Sequence, residues 1–208
     1  MKIKEVLNSY ALLLVNPVLF FKNRDASAFR KYSTYAAWMV GIANAMNRFD
    51  TQYDEPRWIK SLSPAALGDS WALYWMYMAA RGAVVGLFLW YFNGLLFRTF
   101  ILWSKGEYQD KRDTREKRAY LGLTSAVPKI LIMLIASVTS ANYGEYLGFS
   151  HLELFTVLPF MLWEQISLAR AAHGLYKADG KRAILWFVGL PVSLVALGYT
   201  ILLAMGLS

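Results

Sequence analysis

Apolar residues along this chain come in long runs, separated by short polar connections. A helix needs about 20 mostly apolar residues to cross the hydrocarbon of a bilayer. Five runs answer to that description: Tyr32 to Phe49, Trp71 to Trp103, Ala119 to Thr139, Leu152 to Ala172 and Ala183 to Leu207. The first is short and rich in small residues. The second exceeds one perpendicular crossing, so it tilts or projects past the headgroups, and Ser63-Pro64 offers a cap and first-turn proline for an earlier start. The pattern predicts an all-α, polytopic transmembrane bundle of five spans, with no alternation of the kind a membrane barrel encodes.

Ahead of the first run, Ile3, Val6, Leu7, Tyr10, Leu13 and Leu14 recur at helical spacing. They predict a short amphipathic helix on the membrane surface, ended at Asn16-Pro17. The same segment has a lysine start, an apolar stretch and the small trio Ala26, Ser27, Ala28. It is not expected to be a cleaved signal peptide, because Asn16-Pro17 interrupts the stretch, Glu5 sits in the basic region and Lys22 to Asp25 separate the stretch from the small residues. Two parts follow: residues 1–31 as a cytoplasmic segment, and 32–208 as the transmembrane domain.

Charge sets the orientation. Apolar residues make up 57% of the chain and charged ones 17%, below the quarter or so typical of soluble domains. The net charge of +8 is therefore read by position. Lysines and arginines gather before the first run, between the second and third, and around the last connection, 16 in all. The alternate connections hold Arg48, Arg57 and Lys60 and no others. This asymmetry places the N-terminus in the cytoplasm and the C-terminus outside. The stretch "KGEYQDKRDTREKR" mixes both signs with few aromatics, which predicts a solvated loop and no nucleic-acid site. With no cysteine, disulfides, thiol catalysis, iron–sulfur clusters and thiolate zinc sites are excluded.

Helix association in lipid relies on close approach at small residues. Ala37, Gly41 and Ala45 supply it on the first span, Gly82 and Gly86 on the second. Three ionisable residues then stand out: Arg81, Lys129 and Glu164 each lie ten to twelve residues inside a run, roughly 15 to 18 Å deep at 1.5 Å per residue. Charges at that depth face the bundle interior and pair, so Arg81 is expected to meet Glu164 with Lys129 nearby. Carbonyls freed by Pro128 and Pro159, with Asn93 and Gln165, would complete the polar shell. The trio is the candidate binding site, either a salt bridge that sets helix register or a mid-membrane anion site. His151, Glu153 and Glu145 could touch a metal at the outer surface, but His151 and His173 fall at opposite faces and cannot share an ion or haem. No metal or cofactor is expected. No catalytic spacing appears either, and the chain is expected not to be an enzyme.

The order of features carries a resemblance. "LLLVNPVLFFKN" before the first run, "GLFLWYFNGLLFRTFILWSKGEYQ" leading into "RAYLGLTSAVPKIL", and "ISLARAAHGLYKADGKRAI" before the last run together resemble the Yip domain family of Ypt-interacting membrane proteins, over nearly the whole chain. The resemblance implies a five-span helical domain with a cytoplasmic N-terminus. Eukaryotic relatives are associated with Rab-type GTPases and vesicle traffic, but this chain lacks their DLYGP-like stretch and is similar to the short prokaryotic forms, so no GTPase partner is carried over. Two functions are thus in view. One is a membrane scaffold or adaptor working through lipids, other membrane proteins or self-association. The other is a transporter or scramblase-like handler of an anionic lipid or small anion. The location is the inner membrane for a bacterial source, and the endoplasmic reticulum or Golgi membrane for a eukaryotic one.

Overall fold

A computed structural model describes residues 3–23, 26–53, 70–107, 110–147 and 150–204. The described residues are helical, with no strand. In chain order the elements are α1 (Ile3–Val15), α2 (Pro17–Lys22), α3 (Ala26–Tyr53), α4 (Trp71–Trp103), α5 (Lys111–Thr139), α6 (Tyr143–Leu147), α7 (Ser150–Tyr176), α8 (Gly180–Ile184), a single wide turn (Leu185–Gly189) and α9 (Leu190–Ala204). Among the described residues three stretches are long and apolar enough to cross a membrane: Trp71–Trp103, Lys111–Thr139 and Gly180–Leu197. α3 and α7 match them in length, at 28 and 27 residues.

The bundle is organised around α5. α3 packs most extensively on α4 and then on α5, α4 also packs on α5, and α7 covers another face of α5. Glycines bring α3 and α4 into backbone contact. A Cβ on Gly41 would lie 2.1 Å from the Gly82 carbonyl oxygen, and one on Gly86 would lie 2.5 Å from that of Ala37. The small residues expected to mediate packing therefore do so. Trp38 adds a directional link, its indole N–H donating to the Ala79 carbonyl at 2.9 Å.

Between α4 and α5, the antiparallel register is fixed by Trp71, whose indole donates to the Ser140 carbonyl at 2.9 Å, and by Trp75, which donates to the Ser137 hydroxyl at 2.9 Å. Tyr74 stacks on Tyr143 with ring centroids 4.8 Å apart, closing that end with Met46, Met78 and Met133. At the opposite end Phe20 and Phe21 of α2 meet Tyr120, while Phe97, Tyr176 and Phe187 form an aromatic knot.

α5 begins at Lys111, so "KRDTREKR" is its first two turns and not the solvated loop expected from its mixed charges. The signs alternate at helical spacing: Arg112 pairs with Glu116 at 2.9 Å and Lys117 with Asp113 at 2.7 Å. Glu116 and Thr114 are buried. Helix formation wins because these groups find partners one turn away while the apolar face docks.

α1 also departs from expectation. It ends at Val15, and Asn16 caps α2 by accepting the Leu19 N–H at 3.1 Å, with Pro17 in the first helical turn. Yet it does not present the whole apolar face to a membrane surface. Leu13 is buried, and α1 is pinned to α7 by Trp163, which donates to the Leu14 carbonyl at 2.8 Å, and by Arg170, which donates to that of Val15 at 3.1 Å. The Tyr10 hydroxyl reaches the Leu123 and Thr124 carbonyls of α5, both at 3.4 Å. Thr124 lies four residues before Pro128, whose missing N–H leaves that carbonyl without its helical donor. Burial pushes the Tyr10 phenol up to about 12, so it remains a donor throughout the neutral range. Tyr10→Phe is expected to cost about 1 kcal/mol of stability in a detergent melt, since one acceptor is left without its partner.

The α4–α5 and α7–α8 loops are sewn together. Glu107 N–H donates to the Tyr176 carbonyl and Asp179 N–H to that of Ser104, both at 2.8 Å, and Lys177 pairs with Glu107 at 2.7 Å. Lys105 stands at φ 58 in the left-handed position that closes α4: its N–H donates to the Leu102 carbonyl and that of Gly106 to Ile101. Lys105→Gly should raise thermal stability by about 0.5–1 kcal/mol by relieving the Cβ conflict; a loss would contradict this assignment. Burial and the neighbouring Asp113 carboxylate both raise the Tyr176 phenol well above its usual range, keeping it a donor to Asp113 at 3.3 Å.

After α8 the helix widens. The Leu190 N–H bonds the Leu185 carbonyl five residues back, just before Pro191, which has no N–H to give.

Candidate functional site

The interior charges do not assemble as expected. Glu164 on α7 is buried, and its carboxylate is held by Arg118 of α5, Nη2 to Oε1 2.8 Å, while the Ser125 hydroxyl donates to Oε2. The expected partner, Arg81, donates to the Tyr77 hydroxyl at 3.2 Å and lies over its ring, 5.7 Å from the centroid. Lys129 is buried on α5 one turn beyond Ser125.

Helix register explains the substitution of partners. The Trp71–Ser140, Trp75–Ser137 and Gly94–Arg115 contacts align α4 with α5 so that Arg81 falls level with Lys129 and Ile130. The Tyr176–Asp113 and Ser125–Glu164 bonds align α7 with α5 so that Glu164 falls level with Ser125. That is four residues, roughly 6 Å, toward the start of α5 from Lys129. Two members of the trio thus share a level and the acid sits one turn away. Arg118 fills the gap because Arg118 and Ser125, seven residues apart on α5, lie on one face.

A small space adjoins Arg118. A cavity of about 10 Å³ is lined by Asn93, Arg115 and Arg118 with apolar neighbours, no more than one water requires. Ligand-sized space lies elsewhere. A groove of about 780 Å³ runs along the outward side of α4 to the start of α5. Neither space is lined by Arg81, Lys129 or Glu164.

The outer-surface metal alternative finds a different use for its one described acid. Glu145 accepts the Ala141 N–H at 2.6 Å and donates its own N–H to the Asn142 side chain at 2.9 Å, capping α6. The side chains of His151 and Glu153 lie outside the described residues. Beside the α7–α8 turn, His173 Nδ1 is 2.7 Å from the Ala178 carbonyl oxygen. Among the described residues no group of three or more potential ligands comes together. No protein-family model, curated protein or solved structure matches the chain.

Proposed function

We propose that this chain is a multi-pass membrane protein of five spans, resembling the Yip family, that acts as a scaffold or adaptor through contacts with lipids and other membrane proteins. The observation that carries this reading is the closure of Glu164 by Arg118 and Ser125 beside a space of about 10 Å³. A carboxylate neutralised within packed helices fixes their register, whereas cargo handling through this cluster would need its charges to face open volume. The surface supports the same role, since large apolar side chains such as Val84, Phe88, Val138 and Val195 stand outward along three helices, as lipid or a neighbouring protein requires.

α3 and α7, about 42 and 40 Å long, add two crossings to the three apolar ones. With basic residues gathered at the α4–α5 and α7–α8 turns, these turns and the N-terminus face the cytoplasm.

Gentle extraction followed by identification of co-purifying proteins and lipids tests the function: a stoichiometric membrane-protein partner is expected, and ion or lipid flux by the purified chain alone would overturn it. Topology is open to single-cysteine labelling because the chain has no cysteine of its own. Ala141→Cys should react with an impermeant maleimide in intact cells, while Lys105→Cys and Lys181→Cys should react only after permeabilisation. Labelling of all three from one side would contradict five spans.

A further inference from the structure

Resting on that reading as a membrane protein, we infer that the α4–α5 groove is a binding site for one anionic glycerophospholipid of the inner leaflet. The groove has two chemically distinct parts. Its wall is Val84, Leu87, Phe88, Tyr91, Phe92 and Leu95 on α4, and Phe88 stacks on Phe92 with centroids 5.6 Å apart. These residues cover eleven steps of helix, roughly 16 Å, which matches one half of a hydrocarbon core about 30 Å thick. An acyl chain from one leaflet fits that length.

The other part is a basic end. Arg98, Lys111 and Arg115 line it, and the lining contains no carboxylate. Charges here are arranged differently from those next to them: Arg112 and Lys117 are paired with Glu116 and Asp113, whereas Lys111 and Arg115 have no carboxylate partner among the described residues. Arg115 is held in place by its neighbours. Its guanidinium lies over the Tyr91 ring at 4.7 Å, and its stem crosses Gly94, where a Cβ would come within 2.2 Å of Cγ. Lys111 thus sits at the α4–α5 turn and Arg115 reaches from the second turn of α5 to the level of Gly94 and Tyr91, so a phosphate headgroup at this end meets cations when its chain runs along the wall toward Val84.

Charge argues against a second copy as the occupant. A two-fold contact through this groove would set Lys111 and Arg115 against their own copies, without an acid among the described lining residues to offset them. A zwitterionic lipid fits the wall but brings no net charge to the basic end.

The test uses the full chain in nanodiscs of equal phosphatidylglycerol and phosphatidylcholine, with retained lipids counted by native mass spectrometry. The chain should retain phosphatidylglycerol about tenfold over phosphatidylcholine, on the scale of several basic contacts. Arg98→Gln with Lys111→Gln and Arg115→Gln should bring the ratio near unity. Removing the same charge outside the groove, with Lys177→Gln, Lys181→Gln and Arg182→Gln, should leave it unchanged. Leu95→Trp, which keeps every charge and fills the wall, should release the lipid and keeps the test decisive if the triple variant does not fold. An even ratio in the wild type, an equal loss in the control, displacement by free glycerol phosphate, or cross-linking of two copies through Phe88 would each overturn the site. Carbonate extraction separates the two readings: a chain retained in the membrane without lipid preference sinks the site alone, while a chain stripped from it sinks the membrane reading as well.

Discussion

Gly41→Val should produce one of the two largest losses of stability among the substitutions considered, about 3 kcal/mol, with α3 displaced from α4. The new Cβ would lie 2.1 Å from the Gly82 carbonyl oxygen, 2.4 Å from the Gly86 nitrogen and 2.6 Å from its Cα. All three are backbone atoms, so no rotamer change can make room. Separating the helices would also lengthen the Trp38 to Ala79 bond and forfeit dispersion contacts that lipid replaces only in part. Gly189→Ala is the matched control, because its Cβ would meet Leu185 Cδ1 at an ordinary 3.5 Å. Thermal melts in detergent and accumulation in the membrane report both. Equal behaviour of the two variants would mean that the α3–α4 crossing is not a backbone contact.

Arg118→Leu is expected to cost as much or more, about 3–5 kcal/mol, because it strands a buried carboxylate. Adding Glu164→Gln should recover much of the loss, since the amide needs no countercharge and its carbonyl still accepts from Ser125. Arg81→Leu provides the contrast. It leaves the Arg118–Glu164 pair in place, so Glu164→Gln should not rescue it. Rescue of Arg81→Leu and not of Arg118→Leu would restore the pairing that depth alone had suggested.

The long helices and their closest crossing were legible in the sequence because each depends on local composition. Apolar runs without alternation can satisfy their backbone in lipid only as helices, and glycines spaced by four, Gly82 and Gly86, open a groove whatever faces it. The ionic partner of Glu164 was not legible, because it depends on where α5 starts. Once Lys111 begins the helix, Arg118 belongs to the buried face. The signal was present in the i to i+4 pairs Arg112–Glu116 and Asp113–Lys117, which mark helix and not loop. Depth counted from span ends resolves about one turn, and one turn separates Lys129 from the level of Glu164. The role of Tyr10 was hidden for a related reason: Pro128 announces a freed carbonyl, but which distant donor satisfies it depends on how α1 folds back on the bundle.

The stitched α4–α5 and α7–α8 turns also set the mechanics of α9. Ser104 and Glu107 grip the chain at Tyr176 and Asp179, and Phe187, a few residues on, is wedged between Phe97 and Phe100. From Val192 to Leu197 the side chains stand bare. α9 is therefore clamped at its root and bare along its described shaft, so cutting the chain after Gly189 should spare the melting of the remainder.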